Sequence, residues 1–195
     1  SYTFNYLSLG NVESLSGDLV DFEPILGDEV KSRTKIFRRG DVLYGRLRPK
    51  LNKVYLAEDP VYEGVCSSEF IVMIPDVDSV VPRYLRAVLA SDYVSSLVGS
   101  LQTGSTHPRL QPDDLMDIEI PLPSIDKQKE IAAFIGDQNE RRRRISREVE
   151  AMPAALNDAL MRYLENGEEM ELDIPDSQVG TFENPLPPEY REGSD

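Results

Sequence analysis

The chain has 195 residues, of which 40% are hydrophobic, so it can build the core of one ordinary domain and is not wholly disordered. Its single cysteine, Cys66, excludes an internal disulfide framework and fits a reducing compartment, and we interpret it as a small buried residue. No apolar run approaches the roughly 18 residues that a membrane span needs, and no signal-peptide pattern opens the chain. These features predict a cytoplasmic protein with no membrane partner.

The net charge of −14 is distributed unevenly along the chain. Residues 165–195 contain ten acidic residues against Arg191 alone, a net charge of −9, which leaves −5 on the first 164 residues. Between Lys31 and Lys53 the sign reverses, because nine Lys and Arg residues oppose only Asp41 and give +8. A basic patch on an acidic background favours phosphate locally without global attraction. The alternative interpretation is a solvated basic face.

The first 75 residues predict short strands joined by turns, since they are rich in β-branched and aromatic side chains. The predicted strands are 6–10, 41–45, 54–57, 61–66 and 70–74. Gly40 marks a turn, and residues 46–53 form a connection interrupted by Pro49. Pro82 then opens a helix that ends at Gly99.

A polar glycine loop at 101–111 is followed by a short helical turn that Pro112 opens. Ile118 and Ile120 alternate with charged neighbours, which predicts a strand at 117–122. Pro121 and Pro123 cannot donate ladder hydrogen bonds, so the strand is expected to end there.

One long helix is predicted from about Ile125 to Leu164, with Ser124 as its N-cap and a stop at Asn166. Its apolar residues recur in steps of four and three, the period of a coiled coil, interrupted at 138 and 142. Pro153 is expected to kink the helix or divide it in two. The seam residues are Ile131, Ile135, Ile145, Val149, Met152, Leu156 and Tyr163.

Catalytic and metal-binding constellations cannot be assembled from the residues. His107 is the single histidine, so histidine-based metal sites and Ser/His or Cys/His nucleophile pairs lack parts. Gly99 and Gly104 have the spacing of a phosphate loop, but Ser105 stands where that loop requires lysine. We therefore expect a binding module without catalytic residues, metal or cofactor.

A nucleic acid is a ligand that the basic patch can bind. Lys and Arg beside glycine and proline turns can neutralise phosphates, and Arg can also read guanine edges. The 104–107 loop adds polar groups; for His107 the interpretations are a solvated loop residue or a nucleic-acid contact. The predicted DNA-binding residues are Arg38, Arg39, Arg46, Arg48, Lys50, Lys53, Ser105, Thr106 and His107.

The order of the motifs resembles one known family. The glycine/serine loop at 104–106 precedes an L-x-x-x-D-L turn at 110–115, an I-x-I-P-L-P segment at 118–123 and a helix that opens with Gln128 and Ile131. This set is similar to the target-recognition domains of type I restriction-modification specificity subunits, and the likeness covers roughly residues 7–165. Segments 40–49 and 66–70 resemble family strand-loops as well.

The resemblance implies an α+β fold, in which a mixed β-sheet target-recognition domain is followed by a long C-terminal coiled-coil-type helix. Its parts would be a DNA-binding domain at 1–123, a dimerisation or spacer helix at 124–166 and an acidic, proline-rich tail at 167–195. It also implies a non-catalytic, half-size subunit that directs an adenine-N6 methyltransferase, with or without an endonuclease, to its target. The implied partners are DNA, the methyltransferase subunit and a second copy bound through 125–164.

Other interpretations stay open on the residues. Ser1 replaces the expected Met, so the chain can be a fragment, for example the C-terminal recognition part of a fused methyltransferase. A protein-interaction adaptor or DNA mimic that uses the same fold is the alternative from another class. The high negative charge supports the adaptor, and the +8 patch speaks against it.

Overall fold

Residues 3–30, 33–101 and 106–166, which the computed structural model describes, form eight short strands and four α-helices. The strands are β1 (Thr3–Phe4), β2 (Tyr6–Leu7), β3 (Ile25–Leu26), β4 (Thr34–Phe37), β5 (Val42–Gly45), β6 (Val54–Leu56), β7 (Gly64–Ser67) and β8 (Phe70–Met73). The helices are α1 (Pro82–Leu89), α2 (Asp92–Leu101), α3 (Pro112–Met116) and α4 (Ile125–Asn166). Short 3-10 helices occupy Leu9–Asn11, Gly27–Glu29 and Pro49–Leu51. The chain divides into two compact units, Ser1–Asn139 and Glu140–Asp195.

The strands of the first unit form three small sheets. One has three antiparallel strands in the order β6-β5-β8. In the second, with the order β2-β7-β4, β7 is parallel to β2 and antiparallel to β4. The third is the antiparallel pair β1 and β3. Mixed sheets and a long C-terminal helix confirm the predicted α+β class.

Strand β5 lies at the centre of the first unit, and all four of its residues are buried. Successive side chains of a strand point to opposite faces, so β5 contributes to two cores. Val42 and Tyr44 join an apolar cluster that also contains residues of α1, α2 and α3. Leu43 joins a second cluster with residues of β2, β4 and β7. Burial raises the pKa of Tyr44 to about 12.

Cys66 on β7 belongs to the second cluster and is fully buried. Burial raises the pKa of its thiol to about 11, which keeps the sulfur protonated and unreactive at neutral pH. The prediction of a small buried residue is confirmed.

The strand predicted at 117–122 is wrong. This segment pairs with no neighbouring strand that the structure describes, although Ile118 and Ile120 are half-buried against the first apolar cluster. A side-chain hydrogen bond holds the segment instead, because the Tyr84 hydroxyl donates to the carbonyl of Pro121 at 2.7 Å. The alternation that predicted a strand therefore reflects packing of alternate side chains and not ladder bonding.

The prediction of a single helix at 82–99 is also wrong, because the helical conformation is interrupted between α1 and α2. Ser91 lies at the break, and its Oγ accepts a hydrogen bond from the Val94 N–H at 3.4 Å, as a residue that starts a new helix does. The buried Asn52 side chain donates to the carbonyl of Ala90 at 2.7 Å, which holds the end of the first helix.

Several predicted strands change in extent. The strand at 6–10 shortens to β2 and is followed by a 3-10 turn, and the strand at 61–66 begins only at Gly64. Strands β1, β3 and β4 were not predicted. Strand β4 contains the apolar residues Ile36 and Phe37 but lies inside the basic run of the chain. Its Lys35 donates to the carbonyl of Phe70 at 2.6 Å and is half-buried.

Helix α4 begins at Ile125, and its helical residues extend to Asn166 as predicted. Pro153 lies inside the helix, which is not divided there. The first turn is fixed by Gln128, a fully buried side chain. Its Oε1 accepts from the Val81 N–H at 2.9 Å, and its Nε2 donates to the carbonyls of Ser79 at 3.0 Å and Pro123 at 2.9 Å.

The three-part division of the chain at 123 and 166 stays a prediction. The predicted acidic tail at 167–195 lies outside the described residues. Within the described part of the chain, no helix combines the length and the apolar composition needed to cross a lipid bilayer.

Candidate nucleic-acid interface

Strand β5 separates the predicted DNA-binding arginines into two groups. Arg38 and Arg39 precede the strand, in the turn that joins it to β4. Arg46, Arg48 and the residues after them follow its carboxyl end. The two groups are called here the turn end and the loop end of β5.

At the turn end, Arg39 is engaged within the protein. Its two Nη atoms donate to the two carboxylate oxygens of Asp59 at 3.0 and 3.1 Å, and its guanidinium lies 3.9 Å from the centre of the Tyr62 ring. The Arg39 guanidinium lowers the pKa of Asp59 through these hydrogen bonds. Asp41 closes the same turn by accepting from the Arg38 N–H at 2.8 Å. The Arg38 side chain is exposed and has no partner among the described residues.

At the loop end, two segments distant in sequence are joined through their backbones. The Leu110 N–H donates to the carbonyl of Arg46 at 3.0 Å, and the Arg48 N–H donates to the carbonyl of Pro108 at 2.8 Å. Leu47 and Arg109 form an antiparallel β-bridge between these bonds. The basic 46–50 connection and the polar segment that contains His107 are therefore held side by side.

Two of the predicted contacts at this end hold the fold. Arg46 donates through Nε to the carbonyl of Leu110 at 3.1 Å and through Nη2 to Oε1 of Gln111 at 3.0 Å. Lys53 donates to the carbonyl of Leu9 at 2.8 Å and is half-buried. These side chains join strand β5 to neighbouring segments, and their contact with DNA stays a prediction.

Four predicted residues are exposed at the loop end, and one lies outside the described residues. Arg48 and Lys50 are exposed and have no side-chain partner in the part of the chain that the structure describes. The backbone turns sharply here, because Arg48 has a positive φ of 49° and the 3-10 helix Pro49–Leu51 follows. Thr106 and His107 are exposed on the adjoining segment, and Ser105 is the residue outside the described ones.

An ion pair that the sequence did not single out connects the loop end to the β7–β8 turn. Nε and Nη2 of Arg109 donate to the Glu69 carboxylate at distances of 2.9 to 3.2 Å. The Arg109 guanidinium lowers the pKa of Glu69 through these hydrogen bonds. The Glu69 carbonyl also accepts from the Arg46 N–H at 2.9 Å. Glu69 falls inside the 66–70 segment that resembles the family, whereas Arg109 lies between the 104–106 and 110–115 motifs and carried no such signal.

The seam residues of helix α4 differ in exposure. Ile131 and Ile135, near the start of the helix, are half-buried. Four other seam residues, closer to its C-terminal end, are exposed. The exposed seam residues are Ile145, Val149, Met152 and Leu156. Nothing is described for the side chain of Tyr163.

The chemistry of the site is that of binding. Among the described residues, no group of three His, Cys, Asp or Glu side chains is arranged to hold a metal ion. The loop end instead offers two exposed cations, a hydroxyl and an imidazole, beside a bidentate ion pair. Such groups recognise phosphate oxygens and base edges.

Comparison with known proteins gives a consistent answer. The family described as "Type I restriction modification DNA specificity domain" matches residues 6–150. The specificity subunit of the EcoDI type I restriction enzyme from Escherichia coli is 25% identical over 126 residues, or 65% of this chain and 27% of that protein. The MjaIX specificity subunit from Methanocaldococcus jannaschii is 31% identical over 101 residues, or 52% of this chain and 22% of that protein.

A solved structure shows the same fold. The HsdS subunit from Thermoanaerobacter tengcongensis aligns with a TM-score of 0.66 and 27% identity, over 85% of this chain and 43% of that one. The chain therefore belongs to the family of type I restriction-modification DNA specificity domains. It spans about a quarter of the length of the curated relatives named above. Those relatives are named specificity subunits, and the prediction of a non-catalytic recognition component is confirmed at this level.

Proposed function

We propose that this chain is a sequence-specific binding module for double-stranded DNA and that the loop end of β5 is its contact surface. One observation carries the proposal: backbone bonds hold residues 46–48 against 108–110, which joins the connection that carries exposed Arg48 and Lys50 to the segment that carries exposed Thr106 and His107. Membership of the specificity-domain family supports the choice of DNA as the ligand.

Five of the nine predicted DNA-binding residues take different parts in this proposal. Arg48 and Lys50 neutralise phosphates, since exposed cations without internal partners lose no ion pair when they bind. Arg46 and Lys53 hold the loops in place through their bonds to backbone carbonyls. Arg39 is paired with Asp59, which offsets its charge, so it makes a minor contribution to phosphate binding at most.

The test compares phosphate contacts at the two ends of β5. The variant Arg48→Ala/Lys50→Ala is expected to lose at least about ten-fold in affinity for duplex DNA. The slope of log affinity against log salt should also become shallower by about 1 for each contact removed. Arg39→Ala, the matched control from the turn end, should change both quantities little. Equal losses in the two variants would contradict the assignment of the loop end.

We further propose that the domain acts as the half-size specificity subunit of a type I system in the cytoplasm. It would direct an adenine-N6 methyltransferase, and where present an endonuclease, to the bound site. The EcoDI and MjaIX relatives, named as specificity subunits of restriction enzymes, support this assignment. The exposed seam of α4 would bind a second copy of the chain, which makes the recognised site two-fold symmetric.

A second candidate function rests on the charge of residues 165–195, which carry −9 of the total −14. An adaptor or DNA mimic would use this acidic segment as its binding surface. Removing residues 167–195 distinguishes the two: a DNA-binding module should gain affinity for DNA as repulsion falls, whereas an adaptor should lose its protein partner. The third reading, the recognition part of a fused methyltransferase, predicts that methyltransferase sequence adjoins this domain in the same gene.

A further inference from the structure

The Glu69–Arg109 pair differs from an ordinary surface ion pair in its geometry. Two nitrogens of one guanidinium face both oxygens of one carboxylate, at 2.9 to 3.2 Å. The side chains are 27% and 42% exposed, so the pair lies at the surface of the loop end and not inside the core. A planar fork held in this way has one orientation, which a flexible lysine does not have.

The pair is not required to bring its two segments together. The β-bridge between Leu47 and Arg109, and the two backbone bonds beside it, already hold residues 108–110 against 46–48. The Glu69 carbonyl is bonded to the Arg46 N–H as well. What the ion pair adds is a fixed orientation for the Arg109 guanidinium at the partly exposed surface of the loop end.

We infer that Arg109 is a specificity-determining residue that reads a guanine, and that Glu69 is the residue that positions it. This inference rests on the proposed function. Guanine presents two acceptors, O6 and N7, on its major-groove edge, and a guanidinium is the side chain that pairs with both. The pair has no net charge, so it adds little to the salt-dependent attraction between protein and phosphate. Its contribution is expected in the choice of sequence.

The turn end of β5 supplies a matched control. Arg39 and Asp59 form the same kind of two-pronged pair, at 3.0 and 3.1 Å, on an exposed surface. Their guanidinium faces the Tyr62 ring and lies apart from the joined loops. An arginine–carboxylate pair can also alter sequence choice indirectly, through the stability or the overall charge of the domain. In that case, substitutions in both pairs should alter the selected sequence.

The experiment selects duplexes from a random-sequence pool with the full chain and its variants. The variants are Arg109→Lys, Glu69→Gln, Arg39→Lys and Asp59→Asn. Wild type should select a sequence with guanine at a defined position. Arg109→Lys, which keeps the charge, should lower the preference for that guanine about 5- to 100-fold, the discrimination that one bidentate contact provides. Its affinity for random DNA and its salt slope should stay close to those of wild type.

Glu69→Gln should weaken the preference at the same position and at no other, because it loosens the guanidinium without removing it. Both turn-end variants should select the wild-type sequence. The inference on Arg109 is overturned if Arg109→Lys selects the wild-type sequence with undiminished preference. It is also overturned if the affinity of this variant falls equally for random and for selected duplexes. DNA binding by wild type would survive either result. A wild-type chain that binds no duplex overturns the proposed function and this inference together.

Discussion

Two regions with similar apolar side chains have opposite environments. In strand β5, Val42, Leu43 and Tyr44 are buried from both faces of the sheet. In the second half of helix α4, Val149 and Leu156 repeat at a seven-residue interval and are 59% and 48% exposed. The first region finds its packing partners within the described chain, whereas the second presents a row of apolar side chains to solvent.

This difference shows what periodicity alone establishes. A strand whose two faces are apolar predicts a central position in a layered core. A 3.5-residue period over a long helix predicts packing against another helix, without specifying which molecule supplies it. A row of exposed apolar residues along one helix face is the pattern of an interaction surface. We therefore expect the seam of α4 to pack against another helix, whereas the β5 core needs no further partner.

The largest effect is expected at the helix seam. The variant Val149→Asp/Leu156→Asp places two carboxylates in an apolar interface, where an unpaired charge is strongly disfavoured. If a second copy covers the seam, the association constant should fall at least about 100-fold, or roughly 3 kcal/mol. Light scattering at micromolar concentration should show a dimer for wild type and a monomer for the variant.

Met161→Asp is the matched control for this variant. Met161 is 43% exposed, and it lies five residues after Leu156, about 140° around the helix from the seam. Its substitution should leave the dimer intact, and circular dichroism should confirm that both variants keep the helix. A wild-type chain with the mass of a monomer would rule out the homodimer.

A smaller effect is expected where the first turn of α4 is fixed to the domain. Gln128→Leu keeps the volume of a fully buried side chain but removes three hydrogen bonds. The Val81 N–H and two carbonyls would lose their partners, and we expect the free energy of unfolding to fall by about 2–3 kcal/mol. Urea denaturation followed by circular dichroism measures this loss.

Lys129→Ala tests whether the effect belongs to Gln128 or to the helix turn in general. Lys129 is the next residue, and its exposed side chain lies 3.9 Å from Asp126 in a weak ion pair. Its removal should change stability by no more than about 0.5 kcal/mol. Similar losses in the two variants would mean that the buried amide has no special role.

Sequence reasoning identified the strongly patterned elements and failed where tertiary contacts decide. Strands β5, β6 and β8 and the full extent of α4 follow from apolar periodicity and proline positions. The segment at 118–122 has the alternation of a strand, but no neighbouring strand is available to it among the described residues. Strand β4 was missed because it has only four residues and lies inside the basic run, where Lys35 interrupts its strand-favouring side chains.

The candidate site was predicted in composition but not in arrangement. The basic run between 31 and 53 was visible, yet β5 divides it into two ends that no linear count can separate. The internal hydrogen bonds that Arg46 and Lys53 donate to backbone carbonyls were not predicted either. The ion pair of Glu69 with Arg109 joins residues 40 positions apart, and single-sequence patterns contain no information on such a pairing.

The smallest expected effect is the pH dependence of stability that arises from Tyr44 in the buried strand β5. Tyr44 has an ordinary pKa near 10 when the chain is unfolded, and burial raises it to about 12 in the folded protein. Between these values the unfolded state releases the proton and the folded state retains it. The stabilising contribution is therefore complete below about pH 10 and declines by about 1.4 kcal/mol for each pH unit up to 12.

Tyr44→Phe isolates this contribution, because Cys66 and Tyr55, whose pKa values burial also raises, remain in both proteins. Between pH 10 and 12 the stability of the variant should fall less steeply than that of wild type, by the amount of one proton, while the two slopes agree below pH 9. Urea midpoints measured along this range give the comparison. Parallel curves of stability against pH for wild type and Tyr44→Phe would show that the Tyr44 hydroxyl ionises as freely in the folded protein as in the unfolded chain. The side of β5 that faces the helices would then be less enclosed than its packing implies.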